Sequence, residues 1–348
     1  MASFRFFAAS LVLAVACGPE HSGTPAPTPE NQNSHQPGEV DHTWHWIEVP
    51  ETTCGNGTST GYGLSLGEDP TRLMVFLAGG GACWDTASCY VFGSAVNIET
   101  TVNEARFEAE IRPVQNSGVV DRETGPFGQA SFVYIPYCTG DFHSGDAVGS
   151  YDPLNPNRLV HHKGARNLDA YAAILAEEFP LTEEVFLLGV SAGGYGAMMN
   201  HHRFRDAFPD AQVHVLADGS PMVHPREGRW GAWKNAWNME FPPGCETCAD
   251  TFPEFAAEVV AASPESRFSL LTWHEDATVA LFFAYGSGLG TATRNLIEDT
   301  YPLGPGEQAS AFHTPGTDHV MLQYFDTLTD DDGLTLRDYV QAWVDGVL

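Results

Sequence analysis

The stretch Val185-Phe-Leu-Leu-Gly-Val-Ser-Ala-Gly-Gly-Tyr-Gly-Ala197 decides how the rest of the chain is read. Val185 to Leu188 is an apolar run of strand length, and Gly189-Val190-Ser191-Ala192-Gly193 breaks it abruptly. Tyr195 to Asn200 then opens a helix carrying Ala197, Met198 and Met199. Strand, Gly-x-Ser-x-Gly and helix in that order lift the serine onto a sharp bend. Glycine at 189 and 193 removes the Cβ atoms that would crowd the bend. Ser191 Oγ is expected to stand free, with a helix N-terminus beneath it. A Gly-rich turn that only packs tightly is the plain alternative. The apolar strand before it and the helix after it favour a displayed serine.

A displayed serine is a candidate nucleophile, and it needs a histidine, an acid and oxyanion donors. The surrounding segments supply a scaffold. Strands are predicted at Thr43–Val49, Gly61–Leu66, Arg72–Ala78, Ser131–Tyr137, Ala211–Ala217, Ser266–Trp273 and Ser310–Thr314. Helices are predicted at Asn167–Phe179, Met198–Phe208, Phe252–Ala262 and Leu334–Val347. The alternation implies an α/β class, with a mostly parallel central sheet and helices on both faces.

The chain has 348 residues, 43% of them hydrophobic, enough for one large domain. Its net charge is -29, and lysine occurs only at Lys163 and Lys234. That balance argues against nucleic acid and anionic membrane surfaces as partners. It also makes a strongly anionic polymer an awkward substrate unless its charge is local or masked by cations.

Residues 1–17 read as a signal segment, with Arg5 ahead of the apolar stretch Phe6 to Ala16. Leu13-Ala14-Val15-Ala16-Cys17 resembles a bacterial lipoprotein signal, in which Cys17 takes the lipid; ordinary cleavage near Ala16 is the alternative. Residues 18–42 are rich in Pro, Ser, Thr, Asn and Gln and read as a flexible linker. The catalytic domain is expected over 43–348. Both signal readings export the protein, as a cell-envelope lipoprotein or a secreted form. The membrane is then met only through a lipid on Cys17.

Six cysteines follow Cys17, and an even number in an exported chain favours disulfides over metal thiolates. Cys83 and Cys89 are close enough to close a small loop. Cys245 and Cys248 form a C-x-x-C, read as a short structural disulfide. Cys54 and Cys138 remain.

Gly79-Gly80-Gly81 follows the Arg72–Ala78 strand, where backbone N–H groups can approach a developing oxyanion. Ala192 N–H is the other expected donor. His319, in Thr314-Pro-Gly-Thr-Asp-His319, fits the chain order Ser, acid, His, with His313 as rival. His161-His162 and His201-His202 read as solvated or structural pairs. No H-E-x-x-H spacing occurs, and neither metal nor cofactor is expected. For the acid, Asp276 follows the second strand after Ser191. Asp218 follows the first, Glu275 is the local alternative, and Asp318 adjoins the histidine it would have to serve.

These motifs together resemble the pectin acetylesterase family of Notum-like serine carboxylesterases, in the α/β-hydrolase superfamily. The resemblance runs from about Cys54 to His319. Cys54-Gly-Asn-Gly-Thr-Ser-Thr-Gly-Tyr62, Phe76-Leu-Ala-Gly-Gly-Gly-Ala-Cys-Trp84, Tyr134-Ile-Pro-Tyr-Cys-Thr-Gly-Asp141 with Ser144-Gly145, Gly189 to Gly196, Leu216-Ala-Asp-Gly-Ser220 and Thr317-Asp-His319 carry it. It implies an α/β-hydrolase fold and disulfides pairing Cys54 with Cys138 and Cys83 with Cys89. It implies Ser191 as nucleophile, His319 as base and an oxyanion hole of Gly80, Gly81 and Ala192, and strand order adds Asp276 as the acid. Ala82 departs from the family, which commonly has an aromatic there. The expected substrate is an acylated polysaccharide such as pectin, or another ester, acted on by a monomer. A lipidic or polyester esterase and a non-catalytic carbohydrate-binding lipoprotein are the alternatives.

Trp84 and Trp233 are candidate substrate-binding residues. Trp230, Trp233 and Trp237 share a helix face by spacing, as a sugar-stacking wall or acyl-pocket lid or, by default, as core packing. For Cys17, substitution by serine is expected to move the mature protein from the membrane to the soluble fraction. Wild-type protein already soluble outside the cell would contradict the lipid reading.

Overall fold

A computed structural model describes residues 40–113, 115 and 118–347. The expected signal segment, Cys17 and nearly all of the linker lie outside the described residues. In chain order the strands are β1 (His45–Val49), β2 (Thr60–Ser65), β3 (Asp69–Leu77), β4 (Ala130–Ile135), β5 (Ala147–Ser150), β6 (Leu159–His162), β7 (Glu184–Val190), β8 (Gln212–Asp218), β9 (Phe268–Trp273) and β10 (Ala309–Thr314). The helices are α1 (Glu104–Ile111), α2 (Gly164–Glu178), α3 (Ala192–Ala207), α4 (Arg229–Trp237), α5 (Phe252–Ala261), α6 (Ala277–Phe282), α7 (Leu289–Thr300) and α8 (Leu336–Asp345).

Eight strands form one mixed sheet in the order β1-β2-β4-β3-β7-β8-β9-β10. The β1–β2 and β2–β4 pairs are antiparallel. From β4 to β10 every neighbouring pair is parallel. β5 and β6 make a separate antiparallel hairpin that the sequence reading did not anticipate.

The β7 sequence explains its central place. Val185 and Leu187 pack into the core on one face, and Phe186 and Leu188 into the core on the other. A strand buried on both sides must be apolar throughout, as Val185 to Leu188 is. α3 lies against β7 and β8. On the opposite face α8 inserts Leu336, Tyr339, Val340 and Trp343, capped at its start by Thr335. Helices therefore cover both faces, which places the domain in the α/β class.

Among the described residues three disulfides form: Cys54–Cys138, Cys83–Cys89 and Cys245–Cys248. The first joins the turn before β2 to the chain leaving β4, 84 residues away. Gly55 N–H also donates to Cys138 O there, at 2.7 Å. The second closes the loop just after Gly79-Gly80-Gly81. Both anchor segments that reach the C-terminal ends of the parallel strands.

A crosslink over so long a loop restricts the unfolded chain strongly. Replacing Cys54 and Cys138 together by serine should cost about 2–5 kcal/mol of unfolding free energy. Urea denaturation of the oxidised proteins measures this, and an unchanged midpoint would contradict it.

Candidate active site

At the end of β7 the backbone turns sharply. Ser191 has φ 54° and ψ −123°, a left-handed conformation that costs a non-glycine residue about 1–3 kcal/mol. Close packing sustains it. A Cβ on Gly189 would lie 2.1 Å from Gly193 O, and one on Gly193 would lie 2.0 Å from Leu77 O. Ser191 N–H donates to Asp218 O at 2.8 Å, and Ser220 Oγ donates to Ser191 O at 2.7 Å. β3, β7 and β8 thus clamp the bend from three sides, and the half-buried serine tops α3.

β9 leads into Asp276, the expected acid. Asp276 caps α6, its Oδ1 accepting from Thr278 N–H and Val279 N–H at 2.9 Å each. Its Oδ2 lies 2.7 Å from His319 Nδ1, and Asp276 is fully buried. A carboxylate only accepts, so Nδ1 carries the ring proton and Nε2 keeps its lone pair. Nε2 of His319 is buried and has no hydrogen-bond partner among the described residues. Ser191, His319 and Gly81 line one narrow pocket of about 10 Å³, walled by Phe142, Tyr195, Thr278, Val279, Phe282 and Phe283.

The rivals are engaged elsewhere. Glu275 is exposed and pairs with Arg294 at 3.5 Å. Asp318 accepts from Tyr324 Oη at 3.1 Å. His313 lies 2.9 Å from His274. His201 and His202 are buried on α3, where His201 reaches Val213 O and Ser266 Oγ. His162 is buried against Thr139 O. Asp218 accepts Met321 N–H and Leu322 N–H at 2.8 Å each, holding the chain just beyond His319.

After β3 the glycine segment needs its glycines. Gly80 has φ 152° and Gly81 φ 75°. A Cβ on Gly81 would lie 1.9 Å from Ser94 O. Val96 N–H donates to Gly80 O and Ala82 N–H to Ser94 O. Among the described residues no protein acceptor takes the N–H of Gly80, Gly81 or Ala192.

A family model described as Pectinacetylesterase matches residues 38–227. The chain belongs to this family. The match takes in the glycine segment and Ser191 and stops before Asp276 and His319. Among individual proteins, the chain is similar to palmitoleoyl-protein carboxylesterase notum1a of Danio rerio, 25% identical over 241 residues, covering 64% of this chain and 41% of that protein. It is 26% identical over 182 residues to the Homo sapiens palmitoleoyl-protein carboxylesterase, covering 50% and 35%. The Drosophila melanogaster protein is 29% identical over 161 residues, covering 44% and 23%. The chain thus spans about two fifths or less of the length of these relatives.

In this family member the tryptophans are internal. Trp233 and Trp237 have no exposed surface and Trp230 is 4% exposed, so none offers a face to a polymer. This is the core-packing alternative, because α4 sinks all three into one aromatic cluster. Trp233 stacks on Trp237 and meets Phe142 and Phe283 edge-on, so it backs two walls of the pocket. Trp84 is half-buried against Trp233. Phe142, Phe282 and Phe283 were missed from sequence. Phe142 falls between two family segments, Tyr134 to Asp141 and Ser144-Gly145, and α6 is too short to signal its own presence.

Burial raises the Asp218 pKa to about 7, against the pull of its two N–H donors. The folded protein therefore holds a proton that an unfolded aspartate, near 3.8, releases. Its contribution is greatest below pH 3.8 and is lost as pH rises towards 7. Asp218→Asn should flatten the fall in stability across that window. Urea midpoints at both ends test this, and a wild-type-to-variant difference independent of pH would contradict it.

Proposed function

We propose that the chain is an exported serine carboxylesterase of α/β-hydrolase fold that removes short acyl groups from an O-acetylated polysaccharide such as pectin. One observation carries the reading: the 2.7 Å Asp276–His319 pair leaves a buried, unpartnered Nε2 in the same pocket as the strained Ser191. Names of relatives that contain "carboxylesterase" support the reaction class. Three disulfides suit an oxidising compartment outside the cytoplasm.

In this mechanism Ser191 Oγ attacks the ester carbonyl carbon while His319 Nε2 takes its proton. The carbonyl oxygen gains charge against the N–H groups of Gly80, Gly81 and Ala192. Collapse breaks the carbon–oxygen bond, and His319 returns the proton to the leaving alcohol. Water, deprotonated by the same nitrogen, attacks the acyl-enzyme, and as the acyl carbon–Oγ bond breaks His319 returns the proton to Ser191 and the acid leaves. Asp276 holds the imidazole tautomer and stabilises the imidazolium.

Substrate size follows from the pocket. The narrowness of the pocket between Phe142, Tyr195, Phe282 and Phe283 favours a small acyl group such as acetyl over a long chain. A second reading, a lipidic or polyester substrate, draws on a separate apolar cavity of about 530 Å³. Its walls include Trp44, Phe76, Tyr134 and Phe325, with Val190 and Val320, the neighbours of Ser191 and His319.

Turnover of p-nitrophenyl acetate against its octanoyl homologue separates the two. The main reading expects acetyl to be preferred; an octanoyl preference favours the second, and no turnover of either favours a binding protein. Asp276→Asn should lower kcat by about 10⁴ with the melting temperature nearly unchanged. Asn Oδ1 can still cap α6, while its NH₂ faces Nδ1 and drives the ring proton onto Nε2. An active Asp276→Asn variant would contradict the assignment.

A further inference from the structure

The loop between β4 and β5 contains a histidine that the mechanism above does not use. His143 is 2% exposed, and its Nε2 lies 3.0 Å from Ala78 O, the carbonyl immediately before Gly79-Gly80-Gly81. A carbonyl only accepts, so His143 donates its Nε2–H.

The surroundings are built to put the ring there. Phe142 and His143 both have φ 55°, two successive non-glycine residues in the left-handed region. Each is costly for a residue with a side chain and persists only where contacts over-determine it. The buried Asp141 carboxylate supplies several, accepting from Thr139 Oγ1 at 2.6 Å, Gly164 N–H at 2.8 Å and Gly145 N–H at 3.2 Å. Phe142 N–H donates to Tyr137 Oη at 2.9 Å, and Asn200 Nδ2 donates to His143 O at 2.9 Å.

The ring also touches both halves of the site. A Cβ on Gly196 of α3 would lie 2.8 Å from His143 Cδ2. Tyr137 packs 4.8 Å from the ring and flanks Gly80. Ala78 N–H is held by Ile135 O at 3.0 Å, so the last sheet bond and the histidine bond fix the two sides of one residue. Beyond it the chain enters two glycines of positive φ. Burial lowers the His143 pKa to about 4, so the ring stays a neutral donor near neutral pH.

We propose that His143 is a positioning residue that pins the Ala78 carbonyl and thereby aims the Gly80 and Gly81 N–H groups at the oxyanion. The proposal rests on the esterase reading, because it deepens the role of the same segment.

His143→Phe keeps the ring and removes the donor; His143→Gln restores an N–H at similar reach. His143→Phe should lower kcat on p-nitrophenyl acetate about 10–100-fold, a loss expected of donors misaimed rather than removed, with KM within about twofold. His143→Gln should recover most of that loss. Amide exchange at Ala82 and Val96, whose N–H groups bond across this segment, should quicken in His143→Phe and return in His143→Gln. A KM rise at unchanged kcat, or equal losses in both variants with wild-type exchange, would overturn the proposal. If His143→Phe does not fold, His143→Gln against the shorter His143→Asn makes the same comparison. Inactive wild type with the exchange pattern as expected would sink the esterase reading and leave the pinning intact. Active wild type with unaltered kcat and exchange in His143→Phe would sink the pinning alone.

Discussion

The bend at Ser191 is the constraint on which the rest of the site depends. A serine with φ 54° is unstable in isolation, so three strands must hold it. Leu77 of β3 leaves no room for a side chain at residue 193, and the carbonyl of Asp218 in β8 takes the Ser191 N–H. The sheet order that places β7 between β3 and β8 is therefore a condition of the turn. The same order brings the glycine segment, the loop after β8 and the start of α3 to one end of the sheet. Strain at one residue is offset by packing spread over three strands.

Two buried aspartates near His319 divide their work. Asp218 gives its oxygens to the backbone beyond the histidine, and burial with Asp276 nearby favours its neutral form. Asp276 gives one oxygen to α6 and one to the ring. Desolvating two adjacent carboxylates as anions would be costly, and a proton on Asp218 relieves that cost. The helix N-terminus at α6 supplies donors to Asp276 in a place water does not reach.

Much of this was legible in the chain. β7 was readable because a strand buried on both faces must be apolar, and the bend at Ser191 because glycine at 189 and 193 leaves room for it. The meeting of His319 with Asp276 was anticipated from strand order. The β5–β6 hairpin was not legible, since four-residue strands with partly exposed side chains carry little pattern. α6 spans six residues and depends on the Asp276 cap, a tertiary feature. The Trp230, Trp233 and Trp237 spacing revealed a helix face but not what covers it. That cover includes Phe142, whose position follows from the strained loop of Asp141 and His143.

The central claim is that Ser191 carries the acyl group during turnover. Rapid mixing with excess p-nitrophenyl acetate, acid quenching and peptide mapping reads this directly. The account predicts a burst of p-nitrophenol near one equivalent per chain when deacylation is slower than acylation, with an acetyl group on the peptide containing Ser191 and none in Ser191→Ala. Turnover that persists in Ser191→Ala, or an acetyl group that forms on another residue at the same rate, would contradict it.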